Sequence, residues 1–267
     1  MTQGKKLKDL NSLKRENIKY ILCDIDDTLT NEGKLFSEAY DALWRLHKHG
    51  FKIIPITGRP AGWCEMIARL WPVDGVVGEN GAFYFYYDNQ QMHRRFMQTE
   101  SERKSNQQKL DLIKDEVLNQ VAGSAVASDQ FCRAVDLAID FCEDVQPLNH
   151  EDVLKIVNIF KSHGAEAKIS SIHVNGWFGQ HDKLTTTLTY LKDRWNIHDK
   201  DQLQNEILYI GDSPNDEPMF KYFKNSVGVK NIEPYLNELT FPPQYICTEE
   251  GGLGFQELTK QLLFIEL

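Results

Sequence analysis

Asp24 and Asp26, separated by one residue, stand at the end of the apolar run IKYILCD over residues 18–24. On an extended backbone their side chains fall on the same side, because strand side chains alternate with a period of two. Two like charges held together need a cation, a shared proton or strong hydrogen bonding. An oxygen-rich pair of this kind suits a hard ion such as Mg²⁺; an exposed Asp-rich turn is the plainer alternative. Asp212 and Asp216 repeat the theme in Gly211-Asp212-Ser213-Pro214-Asn215-Asp216. Four residues apart across a turn, both can face a metal, although these are also ordinary turn and capping residues. Thr57-Gly58-Arg59 offers a hydroxyl, a glycine that lets the backbone approach and a following helix N-terminus, which suits a phosphate. A Thr-Gly turn often only caps a helix, and Arg59 reads equally as a surface charge. Lys183 follows Asp182 at the start of a predicted helix, where the macrodipole disfavours a cation. That placement hints at a bound anion, against the usual reading of a solvated lysine.

The elements around these residues explain how they meet. Buried strands are predicted at 18–24, 51–57 and 75–83, with amphipathic helices at 37–49 and 59–71 between them. Strand–helix alternation at this spacing means parallel βαβ units. The pattern then changes. A hairpin is predicted around Asp88-Asn89, a polar helix over 98–121, a half-buried strand over 133–141, a helix over 150–164, and a strand and turn over 166–179. The parallel pattern resumes with a helix at 182–195, a strand at 206–212, a helix at 215–223, short strands at 226–229 and 244–247, and a closing helix at 252–265. The expected fold is α/β: a Rossmann-like, doubly wound parallel-sheet core with an inserted α+β cap. Residues 1–86 and 181–267 form the core and 87–180 the cap. In such sheets ligands bind outside the carboxyl ends of the strands, where all four polar clusters lie.

Composition narrows the function. The chain has 267 residues, 41% hydrophobic and 26% charged, with net charge −9. That is a globular mixture rather than a disordered one. The negative balance argues against nucleic acid as partner, which needs clustered Lys and Arg. No apolar run reaches the roughly 18 residues of a membrane span. Residues 1–20 carry six basic and two acidic residues and no apolar stretch of a secretory signal, so they read as a solvated leader. Cys23, Cys64, Cys132, Cys142 and Cys247 are odd in number and lack a CxxC pair. Buried, reduced cysteines in a cytoplasmic protein are expected.

Taken in order, DxDxT at 24–28, TGR at 57–59, Lys183 and GDxxND at 211–216 strongly resemble the four motifs of the haloacid dehalogenase-like superfamily. They span the core from residue 24 to residue 216. The large insertion between the second and third motifs, with the Glu79-Asn80-Gly81-Ala82 turn, resembles the branch with a type II α/β cap, which includes sugar-phosphate phosphatases.

That resemblance implies roles. Asp24 is expected as the nucleophile forming an aspartyl-phosphate, and Asp26 as general acid/base. Thr57, Gly58, Lys183 and Asn215 are expected at the phosphate. Asp24, Asp26 (through its backbone carbonyl), Asp212 and Asp216 are expected around Mg²⁺, with Asp212 a more direct ligand than Asp216. Asp26 favours hydrolysis over dehalogenation; a phosphomutase, or a binding protein that kept the fold, are the alternatives. A cap would exclude a folded phosphoprotein. The expected partner is a small phosphorylated metabolite, without nucleic acid or membrane, bound by a monomer or homodimer. Arg133 and His173 are candidate cap contacts, able to hold a second anionic group; Asn175 and Trp177 are weaker ones. Trp177 and the run Phe83–Tyr87 read more simply as hydrophobic packing, the latter in hinge and cap.

Overall fold

The structure is a computed structural model, and it describes residues 7–170 and 172–264. Six parallel strands form the central sheet in the order Lys8–Asp9, Tyr245–Ile246, Asn225–Gly228, Ile207–Gly211, Tyr20–Cys23, Lys52–Pro55. Strands Ile207–Gly211 and Asn225–Gly228 are buried along their whole length, and the first, ILYIG, reads as a near-continuous apolar run for that reason. One face is covered by helices Ser37–Lys48, Ala61–Leu70 and Gly251–Leu263, through Leu43, Leu46, Ile67, Phe255 and Leu258. Helices Lys183–Trp195, Lys200–Asn205 and Glu217–Tyr222 cover the other, through Tyr190, Leu191, Leu203, Met219 and Phe220. Helices on both faces of a parallel sheet make the expected doubly wound core.

The inserted unit is a four-stranded antiparallel sheet in the order Glu166–Ile169, His173–Trp177, Leu137–Asp140, Ala125–Val126. Helices Glu100–Gln120 and His150–Ser162 pack on it through Leu110, Ile113, Val117, Ile156 and Phe160. Thr99 and Glu102 start the first helix with a reciprocal capping box, and Asn149 caps the second.

Several expectations need correction. The segment read as a solvated leader supplies a strand: Lys8–Asp9 pairs with Tyr245–Ile246, and Leu10, Leu13 and Ile18 are buried. Residues 1–6 of that segment lie outside the described residues. The strand predicted over 75–83 is two pieces. Val76–Gly78 ends in a 3-10 turn at Glu79–Gly81, and Phe83–Asp88 begins an antiparallel hairpin with Gln91–Phe96. The hairpin turns at Asn89 and Gln90, both with positive φ. The expected boundary after residue 86 falls inside Phe83–Asp88, which runs unbroken across it. Phe83, Phe85 and Phe96 join one core cluster and Tyr84 and Tyr86 the other, so the aromatic run packs the core rather than the cap. The strand and turn over 166–179 are two paired strands. Leu137–Asp140 is fully buried rather than half-buried. Cys23, Cys64 and Cys247 are buried as expected, whereas Cys132 and Cys142 are only partly so. Among the described residues, no helix is long and apolar enough to cross a membrane.

Candidate active site

The two central strands end side by side, and each delivers an aspartate. Tyr20–Cys23 leads into Asp24, whose N–H donates to Ile210 O at 3.0 Å, and Ile207–Gly211 leads into Asp212. Asp216 comes back over the same strand end on the turn Pro214–Asp216. Asp24, Asp212 and Asp216 are buried, and each offers an oxygen within 4.8 Å of the others. Gly211 permits the approach: a Cβ there would lie 2.4 Å from Asp216 Oδ2.

Lys183 enters from the first turn of its helix, after the Asp182 cap. Its Nζ lies 3.0 Å from Asp216 Oδ1 and 3.2 Å from Asp24 Oδ1. The turn at Gly81 packs against that helix start, with φ +102° and no room for a Cβ, which would come within 2.1 Å of Asp182 O. Thr186 Oγ1 donates to Gly81 O.

Asp216 is saturated. Its Oδ1 accepts from Lys183 and from Tyr209 OH at 2.5 Å, and its Oδ2 from the N–H groups of Asp212 (3.1 Å) and Ser213 (3.4 Å). Asp212 takes one side-chain bond, from Thr28 Oγ1 at 3.0 Å. Burial and the neighbouring carboxylates Asp216 and Asp24 push Asp212 well up. Burial pushes Asp24 up to about 7, against Lys183, with Asp216 and Asp26 adding to the rise. One lysine does not neutralise three buried carboxylates. A hard divalent cation held by oxygen donors would relieve the repulsion, and the residues fit Mg²⁺ on that ground.

Asp26 faces another way. Arg59 Nε lies 2.9 and 3.0 Å from its two oxygens, and Arg59 Nη2 is 2.8 Å from Oδ1. Its carboxylate is not part of the trio, which leaves its backbone carbonyl as the group expected near the ion. Arg59 is buried rather than a surface charge, and its guanidinium stacks 4.6 Å from the Trp63 ring. Thr57 is fully buried, and its Oγ1 accepts from Arg59 N at 3.0 Å. Gly58 and Asn215 line the cavity, and Asn215 Oδ1 is buried without a hydrogen-bond partner.

The cap closes over this floor and leaves a cavity of about 840 Å³. Arg133, His173 and Asn175 line it from the cap side. Arg133 is not an open anion site. Its Nε and Nη2 reach Asp129 at 3.0 and 3.2 Å, and its Nη1 reaches both Asp136 oxygens at 3.1 Å and Gly58 O at 3.1 Å. His173 Nε2 sits 2.9 Å from a Glu143 oxygen. Burial, with Arg133 nearby, pushes the imidazole down to about 4, so it is neutral. Asn175 Nδ2 donates to Asp136 at 3.2 Å. Trp177 is buried and stacks on His181.

Sequence reasoning missed the groups that hold these in place. Glu79 is fully buried and accepts four backbone N–H groups: Ala61 at 2.9 Å on the core side, and Ala134, Val135 and Asp136 at 2.7–3.1 Å in the inserted unit. Tyr209 and Thr28 orient the aspartates. A tyrosine inside an otherwise aliphatic buried strand was the only available sign of the first.

A family model described as haloacid dehalogenase-like hydrolase matches residues 21–121 and 185–240. The chain belongs to that family. It is therefore an enzyme, a hydrolase, with the four motifs assembled at one strand-end site. A phosphoglycolate phosphatase from Methanobrevibacter smithii is 25% identical over 251 residues, covering 92% of this chain and 99% of its own. The Thermoplasma acidophilum 0175 structure superposes with a TM-score of 0.72 at 17% identity, covering 93% of this chain and 99% of that one. The sucrose-phosphatase from Synechocystis, solved with sucrose and phosphate, gives 0.62 at 15% identity, covering 92% and 98%. These structural likenesses establish the shared fold, cap included.

Proposed function

We propose that this hydrolase is a Mg²⁺-dependent phosphatase acting on a small phosphorylated metabolite, a sugar phosphate, through an aspartyl-phosphate on Asp24. One observation carries the reading: Lys183 bridges Asp24 and Asp216 beside Asp212 at the floor of a capped cavity. Asp24 and Asp212 would hold the ion, with the Asp26 carbonyl. When bound, the ion screens the carboxylates from the incoming phosphate and polarises its oxygens.

Asp24 attacks phosphorus as its ester P–O bond breaks, and protonated Asp26 donates its proton to the leaving oxygen. A water then attacks the aspartyl-phosphate, Asp26 takes its proton, and inorganic phosphate leaves with Asp24 restored. Splitting the displacement in two is what a carboxylate nucleophile offers, and an acid two residues away reaches the leaving group. Lys183 and Gly58 offset charge on the phosphate oxygens. Thr57 supports that clamp by holding Arg59 N. The cap supplies the pocket that covers the leaving group.

The test is phosphate release from a panel of phosphosugars and short phosphorylated hydroxy acids, with and without Mg²⁺. Asp24→Asn abolishes turnover on this reading; full activity in that variant overturns it. The phosphoglycolate phosphatase relative favours a second substrate class, a two-carbon phosphorylated hydroxy acid, and 2-phosphoglycolate belongs in the panel for that reason.

A further inference from the structure

The cavity's leaving-group side has an electrostatic character that the phosphate floor does not share. Three cations line the whole cavity: Lys183, Arg59 and Arg133. Each is already matched. Lys183 is committed to Asp24 and Asp216. Arg59 is forked onto Asp26, and its remaining nitrogen faces Asp129 at 3.9 Å and Glu143 at 3.8 Å. Arg133 has its nitrogens on Asp129, Asp136 and Gly58 O, and its side chain is 1% exposed. A carboxylate or second phosphate entering here would meet no guanidinium free to pair with it. Two histidines also line the cavity from the cap: His173 is neutral and beside Glu143, and His150, the first residue of its helix, is exposed.

The acids tell the opposite story. Asp27, Glu238 and Glu250 also line the cavity, and none has an ion pair among the described residues. These three carboxylates border the cavity outside the pairs that balance one another, Glu238 and Glu250 at exposed positions. Like charges brought together across a closing interface are strongly disfavoured, whereas hydroxyl and ammonium donors find acceptors there.

Resting on the reading of this cavity as a phosphatase site, we infer that it selects a leaving group that is uncharged or amino-bearing and rejects one carrying a second anionic group. Specificity is thus set by withholding Arg133 of the cap and Arg59 of the core from the substrate. This sets the chain apart from an enzyme built for a phosphorylated carboxylic acid, despite its similarity to the Methanobrevibacter smithii phosphatase.

The experiment uses substrates matched in size and differing in charge: 2-hydroxyethyl phosphate, O-phosphoethanolamine and 2-phosphoglycolate, then glucose 6-phosphate, glucosamine 6-phosphate and 6-phosphogluconate. With Mg²⁺ and low salt, kcat/KM for the carboxylate member of each set is expected at least about tenfold below the neutral one. Raising the salt narrows the gap, because exposed charges are screened. The double variant Glu238→Gln/Glu250→Gln narrows the same ratio by about threefold or more at low salt. Equal or better turnover of the carboxylate members overturns the inference while leaving the phosphatase reading intact. So does a ratio unmoved by salt and by the double variant. Lys168 pairs with Asn175 across the cap sheet and has no ion pair among the described residues. A carboxylate preference lost in Lys168→Ala would therefore assign recognition to that lysine and overturn the inference. Failure to release phosphate from all six, and from p-nitrophenyl phosphate, overturns the phosphatase reading itself.

Discussion

Arg59 forks onto Asp26, with Nε 2.9 and 3.0 Å from the two carboxylate oxygens and Nη2 2.8 Å from Oδ1. The residue after the Thr57-Gly58 turn therefore orients the acid of another motif. Arg59→Lys keeps the charge but loses the planar fork, which a point-charge ammonium does not replace. The expected outcome is a fall of about 10- to 100-fold in kcat with a smaller change in KM. Steady-state kinetics on any turned-over substrate separates the two, and a change confined to KM would contradict the orienting role.

Mg²⁺ is expected to stabilise the fold as well as to support turnover. An ion that binds only the native state adds about 2.7 kcal/mol at a hundredfold excess over its Kd. Thermal unfolding should shift upward with added Mg²⁺ and return with EDTA. Asp212→Asn removes most of that shift, because the Asp212 carboxylate takes one side-chain bond from the protein and keeps oxygen lone pairs for the ion. Asp216 takes four bonds, so Asp216→Asn acts instead by disturbing Lys183 and Tyr209.

Glu79 joins the two parts of the molecule through backbone groups alone. Glu79→Gln replaces an acceptor oxygen with an NH₂ that faces amide donors, at a cost of about 1–3 kcal/mol. At this chain length each kcal/mol lowers Tm by about 2–4 °C. Limited proteolysis should cut the variant faster in the 130–136 segment, since the amides of Ala134, Val135 and Asp136 lose their shared acceptor.

His181 supplies a pH signature. Burial pushes its imidazole down to about 4 from 6.5. Between those values the unfolded chain holds a proton that the folded chain does not, so stability falls as pH drops through that window. Above 6.5 neither state is protonated and the effect vanishes. Going from pH 7 to pH 5 should cost the natural protein on the order of 1–2 kcal/mol more than His181→Gln. Denaturant midpoints at the two pH values check this.

The chemistry was more legible than the architecture that supports it. Asp24, Asp212 and Lys183 follow from strand ends and a helix start, because a carboxylate after a buried apolar run has few structural uses. Arg59 and Arg133 were not legible as pairing partners. Their acids, Asp26 for one and Asp129 and Asp136 for the other, become neighbours only through the tertiary fold. The joining role of Glu79, quoted only as part of a turn, was not legible because its partners are backbone amides, which carry no sequence signal. The first twenty residues misled for a different reason. Their basic composition reads as solvated, whereas Leu10 and Leu13, ahead of the predicted strand, are side chains that pack. Two-residue strands such as Lys8–Asp9 are too short to show periodicity.

That same short strand has a consequence for how the molecule behaves in company. Without it, the parallel sheet would present Tyr245–Ile246 as a bare edge, a row of unpaired N–H and C=O groups open to another chain. Lys8–Asp9 fills the row and places charged side chains at the new border, both exposed. A segment that contributes nothing to the chemistry thus keeps one molecule from becoming the template for the next.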